Sequence, residues 1–300
     1  MRYSPPVTQT RPESMTAQPR HVVVTGTSTG IGLATVEALV ERNLGVFPSV
    51  RAAADAERLK QRFGDRVDPV LLDVTDRESI ETAARYVDGK LNGNTLYGLV
   101  NNAGIAVGGP LLHQPVDDFR RQMDINLTGV LETVQVFAPL LGADPARKGS
   151  PGRIVNVSSV AGKLASPFLG GYAASKHGLE ALSGALRREL MLHGIDVIIV
   201  APGAVSTPIW DKADSADQEP YLGTPYSDIV KRFQRYMVDR GREGMPAAEI
   251  ANVISTALTA PRPKHRYAPV KGKFANWTLP RLLPARTLDR LIGKRLGLRR

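Results

Sequence analysis

The sequence predicts a doubly wound α/β domain with a parallel sheet covered on both faces. Short β-branched runs recur along the chain, and segments with helical spacing stand between them. The runs also lack two-residue alternation, as strands buried on both sides do. In order, they are HVVVTG (21–26), LGVFPSV (44–50), RVDPVLLDV (66–74), TLYGLVNNAG (95–104), GRIVNVSS (152–159), IDVIIVAPG (195–203) and a last strand, RYAPV (266–270). Helical stretches are expected at 31–43, 52–63, 76–88, 115–141, 171–193 and 246–258. Such alternation builds right-handed βαβ units. Residues 204–245 hold Trp210, Tyr221, Tyr226, Phe233 and Tyr236 and read as an irregular insertion over one end of the sheet. Residues 1–20 are polar and Pro-rich, a disordered lead-in. The expected organisation is that lead-in, one α/β domain over 21–270, and a C-terminal extension over 271–300.

Composition narrows the function classes. With 300 residues and 42% hydrophobic content, one domain can bury a sizeable core. The absence of cysteine excludes disulfides and thiolate chemistry and fits a reducing, cytoplasmic setting. No apolar run approaches the length of a membrane span, and the N-terminus has no secretory pattern. The five histidines show no metal-ligand spacing, so no metal is expected, and His177 reads as a bland helix residue. NVSSV lacks the elbow spacing of a hydrolase serine. Of the net charge of +10, the last 39 residues carry more than the whole: twelve Lys and Arg against Asp289 alone. The body is balanced, so the high pI does not point to a nucleic-acid partner.

TGTSTGIG (25–32) joins the first strand to the first helix. Gly26 allows a tight turn, Gly30 a close backbone approach and Gly32 the packing of helix on strand. The helix N-terminus would then offer N–H groups to a pyrophosphate. Three tyrosines precede a lysine by four residues: Tyr86 with Lys90, Tyr172 with Lys176, and Tyr267 with Lys271. Gly89 marks a helix end at the first pair, and Pro269 interrupts the last. Tyr172 and Lys176 lie inside a long helical pattern among small residues that leave room for ligands. Ser159 stands thirteen residues earlier, at the carboxyl end of a strand, where open α/β sheets bind ligands.

These motifs, with NNAG (101–104), INLTG (125–129) and PGAVST (202–207), occur in order, and the chain from about 21 to 270 resembles the short-chain dehydrogenase/reductase family in its short, single-domain branch. The resemblance implies a Rossmann-type fold and a nicotinamide-dependent oxidoreductase that interconverts a carbonyl and an alcohol. A tyrosine can protonate the alkoxide left by hydride transfer. Its free pKa is near 10, and a neighbouring ammonium stabilises the phenolate. Lys176 is placed to do this for Tyr172, while Ser159 would hydrogen-bond the carbonyl oxygen. Strand alternation selects Ser159 over Ser158.

Other roles follow from the family. Lys176 would bind the nicotinamide ribose, together with Tyr172, and Asn126 would hold a water of a proton relay. Gly26, Ser28, Gly30, Ile31 and Gly32 would border the phosphates. Asp73 and Val74 would border the adenine, and Asn102, Ala103 and Gly104 its ribose. Pro202, Gly203, Val205 and Thr207 would line the nicotinamide end. Val50 stands where NAD-using relatives carry Asp, and Arg51 follows, which favours NADP(H). The phosphate turn has no second basic residue, which leaves NAD(H) use open.

The tail places Leu288, Leu291, Ile292 and Leu296 on one helical face, with Arg290, Lys294 and the terminal arginines around it. Such a helix either packs on its own subunit as a roof over the substrate site or lies on an anionic membrane surface as a peripheral contact. The tail and FPSVR resemble the retinol- and hydroxysteroid-dehydrogenase branch, implying a small lipophilic alcohol or ketone as substrate. Relatives also imply a homo-oligomer paired through 115–141 and 171–193. Two other readings stand beside the enzyme: a nucleotide-binding scaffold with the tail as partner surface, and a sugar-nucleotide epimerase.

Overall fold

The computed structural model describes residues 20–208, 210–211 and 219–298. The expected lead-in therefore lies outside the described residues, apart from Arg20.

Seven strands form one sheet: β1 (His21–Val24), β2 (Gly45–Val50), β3 (Val70–Leu71), β4 (Gly98–Asn101), β5 (Arg153–Val157), β6 (Asp196–Val200) and β9 (Arg266–Tyr267). Their order is β3-β2-β1-β4-β5-β6-β9, and every pairing is parallel. Each expected strand is present, including the last. A separate two-stranded pair joins β7 (Val205–Ser206) to β8 (Met245–Pro246). The order reverses between β1 and β4, which opens a crevice at the carboxyl ends of these strands.

One face carries α1 (Gly30–Glu41) and α8 (Ala247–Thr259). They touch through Ala34, Ala38 and Ala251, and they bury Val36, Leu39, Ile250 and Ile254 against the sheet. The other face carries α3 (Arg77–Leu91), α5 (Gly129–Phe137) and α6 (Gly170–Glu189), around Ile80, Val134, Phe137, Ile154 and Leu179. α2 (Ala53–Phe63) lies between β2 and β3 in the chain, and α4 (Val116–Met123) precedes α5. The expected helix at 115–141 is broken by a π-helical turn at Asp124–Thr128.

Three expectations change. The helix expected over 76–88 runs on to Leu91 because Leu91 is buried in the core, and Asn92, at φ 49°, ends it instead of Gly89. The insertion is not irregular throughout: Ser227–Arg242 is a 16-residue helix, α7, that buries Val230, Phe233 and Val238. The tail forms α9 (Leu279–Leu282) and α10 (Ala285–Leu296), but its four apolar residues do not share one buried face. Leu291 is 55% exposed, whereas Leu296 packs against Phe168, Tyr221 and Phe233.

Candidate active site

The crevice is built from the carboxyl ends of β1, β4, β5 and β6. At β1, Gly26 (φ 70°) and Gly30 (φ 61°) adopt left-handed backbone that glycine alone takes without strain. A Cβ on Gly32 would collide with the carbonyl oxygen of Gly26, so the first turn of α1 lies flush on the loop. Thr29, before α1, makes no side-chain cap, and the first turn contains no acid. Free N–H groups, a left-handed turn and no Cβ together fit a pyrophosphate. Ser28 and Ile31 lie in this same turn.

The NNAG segment is locked to that cradle. The Asn102 Nδ2 donates to the carbonyls of Thr25 and Gly26, both at 2.9 Å. The Thr25 hydroxyl accepts the backbone N–H groups of Asn102 and Ala103, each at 3.0 Å. Across the crevice, the Thr207 side chain lies 3.4 Å from where a Gly30 Cβ would be. Pro202 accepts the N–H of Val160 at 2.9 Å, and Gly203 donates to Pro269 at 3.0 Å, so PGAVST is tied to both neighbouring loops. Val205 anchors it through β7. At the other end, Val50 is buried at the tip of β2 and Arg51 is exposed beside it. Burial works to raise the Asp73 carboxyl, but hydrogen bonds from the Thr75 backbone and side chain and the charge of Arg51 bring it below its ordinary value. Arg51 thus stands next to Asp73 and Val74, where an adenosine end would lie.

Ser159 is the second residue after β5. It has extended backbone, and its Oγ accepts the N–H of Ala161 at 3.1 Å as the chain enters a 3₁₀ turn at Val160–Gly162. That turn lies against α6, since a Cβ on Gly162 would come 2.9 Å from both the Lys176 carbonyl and Glu180 Cγ. Tyr172 and Lys176 stand one turn apart on α6. Burial raises the pKa of the Tyr172 phenol, and the nearby Ser159 side chain opposes the rise. Lys176 Nζ lies 5.9 Å from the Tyr172 ring centre and donates to the Val157 carbonyl at 2.9 Å. Among the described residues Lys176 has no carboxylate partner, and burial brings it down to about 8. Ser158, by contrast, is turned into the core.

Asn126 sits in the π-helical turn. Its Oδ1 accepts the N–H of Ile105, and its Nδ2 donates to the Ile105 carbonyl and to Ser175 Oγ, all within 3.0 Å. Ser175 in turn donates to the Tyr172 carbonyl at 2.8 Å. The carboxamide therefore ties the loop after Gly104 to α6.

The other two tyrosine–lysine pairs lie elsewhere. Tyr86 and Lys90 are on the same helix after all, but both serve Asp68, at 2.8 and 3.0 Å. Tyr267 accepts the N–H of Lys264, and Lys271 donates to the Glu243 carbonyl. His177 Nδ1 lies 2.9 Å from the carbonyl of Ala173, as for an ordinary helix residue. Sequence reading missed Thr25 and Ser175, whose hydroxyls link distant segments, although each adjoins a motif residue. It placed Tyr221 and Phe233 in an insertion over one end of the sheet but did not include Phe168, which joins them and Leu296 in a wall beside the start of α6. The i, i+4 spacing of Ile229, Phe233 and Met237 could have revealed that helix.

A parallel sheet of this order with such a turn at its switch point defines a dinucleotide-binding α/β protein. The family model described as short chain dehydrogenase matches residues 20–218, and the chain belongs to that family of oxidoreductases acting on alcohols and carbonyls with a nicotinamide cofactor. It is 35% identical over 277 residues to the NADPH-dependent 3-dehydrocapnine reductase of Ornithobacterium rhinotracheale, covering 92% of this chain and 97% of that one. It is 35% identical over 265 residues to retinol dehydrogenase 16 of Mus musculus, covering 84% and 80%. A solved short-chain dehydrogenase from Streptomyces avermitilis superimposes with a TM-score of 0.73 at 25% identity, over 94% of this chain and 98% of that one. Another, from Burkholderia phymatum in complex with NAD, has the same fold, with a TM-score of 0.74 at 24% identity over 91% and 95%. These relatives are named for reductase and dehydrogenase activities, so neither the scaffold nor the epimerase reading is retained.

Proposed function

We propose that the protein is an NADP(H)-preferring oxidoreductase that interconverts a lipophilic ketone or aldehyde and its alcohol, with Ser159, Tyr172 and Lys176 as its catalytic residues. The observation that carries this reading is the packing of the Ser159 turn, at the mouth of β5, against the part of α6 that holds Tyr172 and Lys176, with the Lys176 ammonium 5.9 Å from the Tyr172 ring centre. When bound, the dinucleotide supplies or accepts the hydride. In the reducing direction Ser159 donates a hydrogen bond to the carbonyl oxygen, and Tyr172 gives its phenolic proton to the same oxygen. Lys176 stabilises the phenolate that results. Asn126 holds the loop at Ile105 against α6 and would hold the water of a proton relay from Lys176 to solvent.

Arg51 supports the preference for NADP(H): it is an exposed cation next to Asp73, with the apolar Val50 at the β2 tip where an acid would favour a ribose hydroxyl. The relatives named for retinol and for 3-dehydrocapnine support a lipophilic substrate, as does the aromatic wall before α6. The extension leaves Phe274 and Leu282 about 70% exposed among basic residues, which suits contact with an anionic membrane. Among the described residues no helix is long and apolar enough to cross one.

Tyr172→Phe tests the mechanism. It should lower kcat by about a thousandfold or more while NADPH binding, read by fluorescence titration, stays within about twofold. Retained turnover would sink the assignment.

A further inference from the structure

α6 meets β9, just before the extension, through a buried ion pair whose members have no part in the chemistry above. Glu180 lies one turn beyond Lys176, and its side chain is 3% exposed. Arg266, on β9, grips it with Nε on Oε2 and Nη2 on Oε1, both at 3.1 Å. Lys163, which follows the turn carrying Ser159, stands 3.7 Å from Oε2. The same Arg266 guanidinium lies over the Trp277 ring at 4.7 Å, where Arg281 also lies, at 4.5 Å. Trp277 is 5% exposed. One carboxylate thus joins the catalytic helix, the Ser159 turn and the root of the extension.

From Trp277 outward the extension is held at further points. Arg240 of α7 donates to Asn276 Oδ1 at 2.6 Å, and Arg295 lies 4.8 Å over Tyr236. α10 then forms one side of a groove of about 590 Å³, lined also by Leu111, Phe168, Ile292 and Leu298, that opens beside Gly170 at the start of α6. A buried ion pair is a poor source of stability, since an apolar pair of similar size usually serves as well. What a bidentate fork does provide is orientation: it fixes the guanidinium plane, and that plane fixes the stacked indole.

We propose that Glu180 is a positioning residue that, through Arg266 and Trp277, sets the extension as a fixed wall of the substrate groove and so ties recognition of large apolar substrates to the catalytic helix. This rests on the reading above in taking a carbonyl at Tyr172 to extend into that groove.

Glu180→Gln and Arg266→Lys test it in the full-length protein, with 2-alkanones of graded chain length as probes. Arg266→Lys keeps the charge beside Glu180 and loses only the fork and the planar stack, so it decides the matter where Glu180→Gln does not fold. In each variant KM for the longest ketone turned over should rise about fivefold or more, while KM for the shortest, kcat and the NADPH KM stay within about twofold. Thermolysin cleavage within 274–298, located by mass spectrometry, should accelerate about tenfold. A lowered Tm with both ketone KM values unchanged, or an equal rise for short and long ketones, would overturn the proposal. If wild type turns over no ketone, the carbonyl reading fails by itself. The cleavage arm still decides the wall, and unchanged protection in both variants overturns it.

Discussion

Lys176 shows what a single residue costs here. Its ammonium is buried with one carbonyl as partner, and its pKa falls to about 8 from 10.5. Between those pH values the folded chain binds fewer protons than the unfolded chain, so this group's contribution to stability rises with pH across that window. Below pH 8 the buried charge is a standing penalty of at most about 3 kcal/mol, reduced by its bond to Val157. Lys176→Met should therefore raise Tm at pH 7 by roughly 2–5 °C and abolish turnover, and the gain should vanish near pH 10. Thermal unfolding at the two pH values checks this. The residues of the candidate site were legible because Tyr172, Lys176 and Ser159 each lie in a motif with a chemical reason for its spacing. The hydrogen bonds that orient them were not, because Val157, Ser175 and Ile105 meet the site through backbone atoms or a generic hydroxyl.

Among the elements, the strand tips carry the proposed cofactor preference. β2 ends in a buried valine and an exposed arginine, and the loop after β3 brings Asp73 beside that arginine. Arg51→Ala should raise the NADPH KM by about tenfold and change the NADH KM by less than about twofold. Steady-state kinetics with both cofactors decide it, and equal effects would refute the preference. The strands were legible because apolar runs bounded by glycine have few other uses. α7 was less legible because its apolar residues, Ile229, Phe233 and Met237, stand among many charged ones, and the end of α3 lay beyond Gly89 because Gly89 is exposed, with nothing packed near it, while Leu91 beyond it is held by the core.

At the scale of the whole molecule, the basic extension is tied to the body at its root and at its last helix. Arg281 and Arg295 lie over aromatic rings, and Trp277 is buried, so truncation at 277 would open the core as well as remove a surface. Point changes test membrane contact more cleanly. If the outer face docks on lipid, Phe274→Glu with Leu282→Glu should cut co-sedimentation with phosphatidylserine vesicles about tenfold while leaving turnover of a short ketone unchanged. A wild-type protein that does not sediment would remove the membrane reading.

Local sequence was enough for the sheet, most of its helices and the phosphate turn, and it singled out one of three tyrosine–lysine pairs as the candidate. Each is written in periodicity, glycine placement or residue chemistry within about one turn or strand, and those forces act between near neighbours. The strand order, the docking of the extension and the contact between Glu180, Arg266 and Trp277 depend on the closed fold. Glu180 and Arg266 are 86 positions apart, and the burial that makes their pairing matter exists only once α6, β9 and the extension have packed together.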